Sequence, residues 1–261
     1  MNISLENKHA IVCGSTQGIG KAAAVEMASL GAKITLIARN ESELQKVVKE
    51  LSSKFSQQHD YIAADFSRPE ELKTKVEKYV AGKIIHILIN NTGGPKGGPV
   101  TDAQPEEFIA TFNQHLICNH ILVKAVLEGM KKEKYGRIIN IISTSVKQPI
   151  KRLGVSNTIR GAVANWAKTL AGEVGRYGIT VNNVLPGSTE TQRQRSLFEI
   201  RAEREKRGLE EIKAEALEEI PMRRFASPEE VANAIAFLAS PAASYINGIN
   251  LPVDGGRTAS L

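Results

Sequence analysis

The chain has 261 residues, with 34 Lys+Arg against 28 Asp+Glu for a formal net charge of +6, 42% hydrophobic and 24% charged residues. That balance excludes a disordered, collagen-like or miniprotein chain, and the length suffices for one large domain that buries its core without disulfides or structural metals. Aromatics make up only 5% and the basic residues are interspersed with acids, so neither nucleic acid nor a membrane surface is an expected partner. Cys13 and Cys118 form no metal or disulfide spacing and suit a reducing cytoplasm. No apolar run reaches the ~20 residues of a membrane span, and the amino terminus lacks the pattern of a signal peptide. The five histidines are scattered, so no metal site is expected.

In chain order, short apolar runs alternate with stretches of helical period. Strands are predicted at 9–13 (HAIVC), 33–38 (KITLIA), 60–64 (DYIAA), 86–90 (HILIN), 137–142 (RIINII), 179–185 (ITVNNVL) and 249–253 (INLPV). Helices are predicted at 18–30, 41–54, 69–80, 105–132, 157–175 and 228–239. The strand runs are rich in Ile, Val and Leu without clean alternation, which requires burial on both faces. The predicted fold is therefore a single-domain, Rossmann-type doubly wound α/β sheet of seven parallel strands, over residues 1–261. Pro69 and Pro105 precede acidic first turns, and Ser227-Pro228-Glu229-Glu230 reads as a capped helix start. Residues 192–222 break the rhythm. With Arg193, Arg195, Arg201, Arg204, Lys206, Arg207 and Lys213 among many acids, they are predicted to be a solvated helical insertion overhanging the carboxyl ends of the strands.

The first strand runs into Gly14-Ser15-Thr16-Gln17-Gly18-Ile19-Gly20 and then a helix. Glycines there permit a tight turn and close approach of backbone to a pyrophosphate, whose charge meets the amides and positive dipole of the helix start. The spacing GxxxGxG resembles the short-chain dehydrogenase/reductase family. Further blocks of that family follow in order: Asp65, Asn90-Asn91-Thr92-Gly93, Asn140 and Ser143, Pro186-Gly187, and the tail IPMRRFASPEEVANAIAFLAS with INGINLPVDGG. The likeness runs from about residue 5 to 256 and is strongest to 3-oxoacyl-carrier-protein reductases. It implies that Asp65, beside Phe66, holds adenine, that Asn91, Thr92 and Gly93 line the cofactor, and that Pro186, Gly187, Thr189 and Thr191 meet its nicotinamide end. It also implies a homodimer or homotetramer built through the long middle helices.

The second strand ends Ile37-Ala38-Arg39, with alanine where an acid would accept from a ribose 2′-hydroxyl and Arg39 offering a donor fork to a 2′-phosphate. NADP(H) is favoured over NAD(H), the alternative for Arg39 being a side chain that merely snorkels at a strand end.

The catalytic positions depart from the family pattern. Thirteen residues past Ser143 the family's Tyr is Ser156, four further on its Lys is Arg160, and the usual Asn of the middle helix is His115. A serine hydroxyl is a far weaker acid than a phenol, and a guanidinium is no proton source near neutrality. His115, with an unperturbed pKa of about 6.5, is a candidate proton donor that Asn119 could orient; the alternative is an imidazole that only fills the volume of Asn. Lys147 is a second candidate, or a solvated charge. Lys147, Lys151, Arg152, Arg160, Arg193 and Arg195 are expected to converge on the cleft and favour an anionic small-molecule or acyl-thioester substrate. Two functions follow: an NADP(H)-dependent carbonyl reductase, or a dinucleotide-binding member without dehydrogenase activity, acting as a sensor or partner subunit.

Overall fold

The computed structural model describes residues 1–260. Seven strands, β1 (His9–Cys13), β2 (Lys33–Ala38), β3 (Asp60–Ala63), β4 (Ile87–Asn90), β5 (Gly136–Ile141), β6 (Ile179–Pro186) and β7 (Asn250–Val253), form one parallel sheet in the order β3-β2-β1-β4-β5-β6-β7. Nine α-helices occupy the described chain: α1 (Gly18–Ser29), α2 (Glu41–Lys54), α3 (Pro69–Val80), α4 (Pro105–Phe112), α5 (Cys118–Glu133), α6 (Gly154–Val174), α7 (Gln192–Glu205), α8 (Leu209–Glu218) and α9 (Pro228–Ala239).

Alternate residues of each strand feed two cores, which is why the strands read as apolar throughout. Ala10, Val12, Ile87, Ile89, Ile139 and Ile141 face the layer of α1, α2 and α9. Ile11, Cys13, Leu88, Ile138, Ile179 and Val181 face that of α3, α5 and α6. The strand order reverses between β1 and β4, each of which pairs with the other, so the crevice at their carboxyl ends is where a doubly wound sheet takes its ligand.

The helix starts behave as their sequences dictate. Ser227 accepts from the Glu230 amide while the Glu230 carboxylate accepts from the Ser227 amide, a reciprocal cap that sets α9 in place. Two helical expectations need correction. The helix expected from 157 starts at Gly154. The long helix expected over 105–132 is broken between α4 and α5 by a π-helical turn, Asn113–Ile117, that contains His115. Such a turn widens the helix by one residue and redirects its side chains, and it is a recurrent feature of functional sites. The 192–222 insertion is helical as expected, forming α7 and α8 around a small core of Phe198, Ile212 and Ala216. No described helix is long and apolar enough to cross a membrane.

Candidate active site

The cradle at the end of β1 is built for a backbone-close ligand. Gly14 has φ of +58°, a left-handed conformation that its lack of Cβ allows, and its amide donates to the Ile37 carbonyl at 2.8 Å. Asn91 Nδ2 donates to the carbonyls of Cys13 and Gly14, each at 3.2 Å, tying the start of the loop to the end of β4. A Cβ on Gly20 would collide with the Gly14 carbonyl and lie 2.7 Å from Asn91 Nδ2. Ser15 is fully buried and its hydroxyl donates to the Ile37 carbonyl, so it holds the loop rather than facing the cleft. Thr16 and the exposed Gln17 continue the loop, and Ile19 packs against the core. Gln17, at the helix N-cap, makes no side-chain cap, so the first amides and dipole of α1 face the crevice. This fits a dinucleotide pyrophosphate.

Two neighbouring segments close on the cradle. The Thr191 methyl lies 3.2 Å from the point where a Cβ on Gly18 would stand, and Thr191 also caps α7 by accepting from the Gln194 amide. Behind it Gly187 donates from its amide to Val253 at 2.9 Å, and the buried Thr189 donates to the Gly187 carbonyl, which fixes the turn after Pro186. On the other side Arg39 is exposed at the end of β2, across from Asp65. Partial burial works to raise the Asp65 pKa, but hydrogen bonds from Ser67 and the charges of Arg39 and Arg68 outweigh it and hold the carboxyl below its usual range. The Phe66 ring is buried, and its carbonyl accepts from the Cys118 thiol at 3.3 Å. Burial pushes that thiol up to about 12, so it stays protonated. Cys13 and Cys118 are free buried thiols.

Of the positions expected to be catalytic, His115 and Arg160 come within electrostatic range of each other, and Arg160 reaches the end of β5 near Ser143. Ser143, at the end of β5, accepts from the Ser145 amide at 3.1 Å. Ser156 and Arg160 lie one turn apart on α6 and share a face. Arg160 is 8% exposed and donates to the Ile141 carbonyl at 2.9 Å. Burial, then the charge of Arg193, lower its pKa to about 10, so it remains cationic at neutral pH. His115 is buried at 1% exposure and its Nδ1 lies 2.6 Å from Thr92 Oγ1; Thr92, not Asn119, holds the ring. Its Nε2 has no hydrogen-bond partner in the protein. Burial, then the charge of Arg160, lower the ring pKa to about 2, against the opposing effect of the nearby Gly93 backbone. The expectation of an imidazole titrating near neutrality therefore does not hold. The desolvated ring beside a guanidinium stays neutral and can exchange hydrogen bonds but cannot serve as an imidazolium acid. Lys147 is half-buried beyond Ser143.

The cations expected at the cleft differ in their surroundings. Lys151 and Arg152 are exposed, and Arg195 is paired with Glu199 at 3.0 Å. Arg193 reaches from the insertion to the loop after β4, donating to the Pro95 carbonyl, and Leu197 approaches Gly97 of the same loop.

The sequence reading missed an amide ladder beneath the site. Asn90, Asn140, Asn183 and Asn250 are in register on β4, β5, β6 and β7, and each Nδ2 donates to the next Oδ1 at 2.8–2.9 Å. These bonds tie the carboxyl ends of β4 and β5 to the middle of β6 and the start of β7. An Asn within each of four predicted strands was the available signal.

Four histidines, His9, His59, His86 and His115, have pKa values lowered chiefly by burial, His9 to about 4. Below pH 6.5 the unfolded chain takes up protons that these buried rings refuse. Stability therefore rises with pH in that range and is lost on acidification, by up to about 1.4 kcal/mol per pH unit for each of the buried rings of His9 and His115 and by less for the partly exposed rings of His59 and His86. Melting temperature is expected to fall steadily from pH 7 to pH 5, and His115→Asn to reduce the slope. A flat profile contradicts the burial of these rings.

A parallel sheet of this order with an open glycine cradle at its switch point defines a dinucleotide-binding α/β protein of Rossmann type. A family profile described as enoyl-(acyl carrier protein) reductase matches residues 14–258. The 3-oxoacyl-(acyl-carrier-protein) reductase of Vibrio cholerae is 34% identical over 258 residues, 97% of this chain and 98% of that one. An NADPH-dependent reductase of Bacillus subtilis is 27% identical, covering 98% of this chain and 100% of its own. Among solved structures, L-sorbose reductase from Gluconobacter frateurii complexed with NADPH and L-sorbose superposes with a TM-score of 0.93, 30% identity and full coverage of both chains. The chain belongs to the short-chain dehydrogenase/reductase family, whose members are NAD(P)(H)-dependent oxidoreductases acting on CH–OH and C=O groups.

Proposed function

We propose that the protein is an NADP(H)-dependent reductase of a small or thioester-borne carbonyl compound carrying negative charge, working with an altered proton-handling set. The observation that carries this reading is the cradle of Gly14, Gly18 and Gly20 with Arg39 beside it, kept intact while the neighbouring Tyr and Lys positions hold Ser156 and Arg160. Bound NADPH would supply the hydride that reduces the carbonyl carbon, with one proton needed at the oxygen to complete the alcohol. Gly14, Ser15, Thr16, Gln17, Gly18, Ile19 and Gly20 would cradle its pyrophosphate, Arg39 its 2′-phosphate, Asp65 and Phe66 its adenine. Asn91, Thr92, Gly93, Pro186, Gly187, Thr189 and Thr191 would line its nicotinamide end.

In this reading Ser143 donates to the substrate oxygen, Ser156 offers a second hydroxyl beside it, and Arg160 orients substrate or ribose with its fixed charge. His115, neutral and braced by Thr92, positions rather than protonates; the proton comes from Lys147 or from water. The whole chain, 1–261, acts as one dinucleotide-binding unit with 192–222 as its substrate loop, assembled as a homodimer or homotetramer. The two buried free thiols suit the cytoplasm.

A panel of 3-oxoacyl thioesters, quinones and oxo acids with NADPH, followed by absorbance, tests the activity. The native protein is expected to turn over at least one class, and the double variant Ser156→Tyr, Arg160→Lys to lose about tenfold or more of that rate because the native pair serves its own chemistry. Cofactor uptake without turnover, with activity emerging only in the double variant, would instead favour a sensor or partner subunit.

A further inference from the structure

Two buried arginines of this protein have opposite surroundings. Arg137 on β5 is 3% exposed, and its guanidinium donates to the carbonyls of Ser240, Gly136 and Gly178 while stacking 4.2 Å from the Tyr135 ring centre. That is a structural arginine whose donors are absorbed by the fold. Arg160 is 8% exposed and donates to a single carbonyl, that of Ile141. Neither its charge nor that of Arg193 is met by a carboxylate among the described residues, although every other arginine of α7 is ion-paired. A buried charge without counter-ion is expensive unless its partner arrives with a ligand.

Three features converge on this spot. Arg160 lies at the floor, one helical turn from Ser156 and bonded two residues before Ser143. His115 adds a buried ring nitrogen, Nε2, with no partner in the protein, close enough to Arg160 for the two to interact electrostatically; in the tautomer in which Nδ1 accepts from the Thr92 hydroxyl, Nε2 carries the ring proton and is free to donate. Arg193 forms the lip, two residues past Thr191 and held against Pro95. Arginine at both floor and lip matches the planar, forked acceptor geometry of a carboxylate.

We infer that Arg160, Arg193 and His115 Nε2 form a carboxylate subsite, so that the substrate is a short oxo acid whose carboxylate stands next to the reacting carbonyl. This deepens the reductase reading and rests on it for the reaction, though not for the binding. A carrier-protein thioester fits less well, because its phosphate lies a long pantetheine arm away from the carbonyl and would stay at the rim, beside exposed Lys151 and Arg152.

The test is calorimetric and uses oxamate, an unreactive stand-in for a short 2-oxo acid, with oxamide as its neutral counterpart. Each is titrated into the protein alone and into the protein with NADPH, and NADPH binding is measured separately. Oxamate is expected to bind and oxamide not, and raised salt to weaken oxamate. Arg193→Gln, a substitution of an exposed side chain that leaves the fold intact, is expected to weaken oxamate about tenfold or more while NADPH affinity stays unchanged. Oxamate and oxamide binding alike, no binding of either, or oxamate affinity untouched by Arg193→Gln overturns the subsite. NADPH bound without oxamate strikes this inference alone; oxamate bound without NADPH supports the subsite and strikes the reductase reading alone.

Discussion

Gly20→Ala is expected to abolish NADP(H) binding and to destabilise the fold by about 3 kcal/mol or more. The added methyl would sit on the Gly14 carbonyl oxygen and 2.7 Å from Asn91 Nδ2. Neither neighbour can yield cheaply. Gly14 is backbone in a left-handed conformation, and the Asn91 amide is committed to the carbonyls of Cys13 and Gly14. Relief requires α1 to move away from β1, which opens the turn whose amides face the crevice. Gly208→Ala is the control: it precedes α8 at φ of −65°, outside the middle helices, a Cβ there meets nothing within 4 Å, and the substitution is expected to change stability by less than about 1 kcal/mol. Thermal melts and NADPH titration of both variants check the pair. A Gly20→Ala protein that melts and binds like the parent would show that the loop is not a close-approach cradle.

Arg39→Asp is expected to lower NADPH affinity about a hundredfold while leaving NADH binding equal or improved. Arg39 is exposed at the end of β2, so its replacement costs the fold little, and the effect falls on the ligand. The new carboxylate would repel a 2′-phosphate and accept from a 2′-hydroxyl instead. It would also remove one of the charges that hold Asp65 low, so the adenine side becomes crowded with negative charge. Titrations of the variant with each nucleotide decide the matter. Unchanged discrimination between the two nucleotides would mean that Arg39 only lies along the strand end.

The sheet was legible because its strands are apolar on both faces and are separated by helical periods, leaving a parallel sandwich as the physical solution. The cradle was legible because backbone approach demands glycine, and glycine spacing survives in sequence. The break between α4 and α5 was not, because a π turn inserts one residue without any proline or glycine to mark it. That turn also explains why the expected partnership of His115 with Asn119 fails: helical i,i+4 geometry no longer applies, and Thr92 from the β4 loop takes the ring instead. The ring's loss of basicity was equally hidden, since it comes from burial and from Arg160, 45 positions later in the chain. Of the six cations expected over the cleft, sequence could not tell Arg195, which Glu199 neutralises one helical turn away, from Arg193, which reaches across to Pro95.

Calorimetric titration of the native protein with NADPH and with NADH is the most direct measurement of the account as a whole. One NADPH per chain, bound at least about tenfold more tightly than NADH, is the predicted result. No heat of binding from either nucleotide, or a clear preference for NADH, would contradict it.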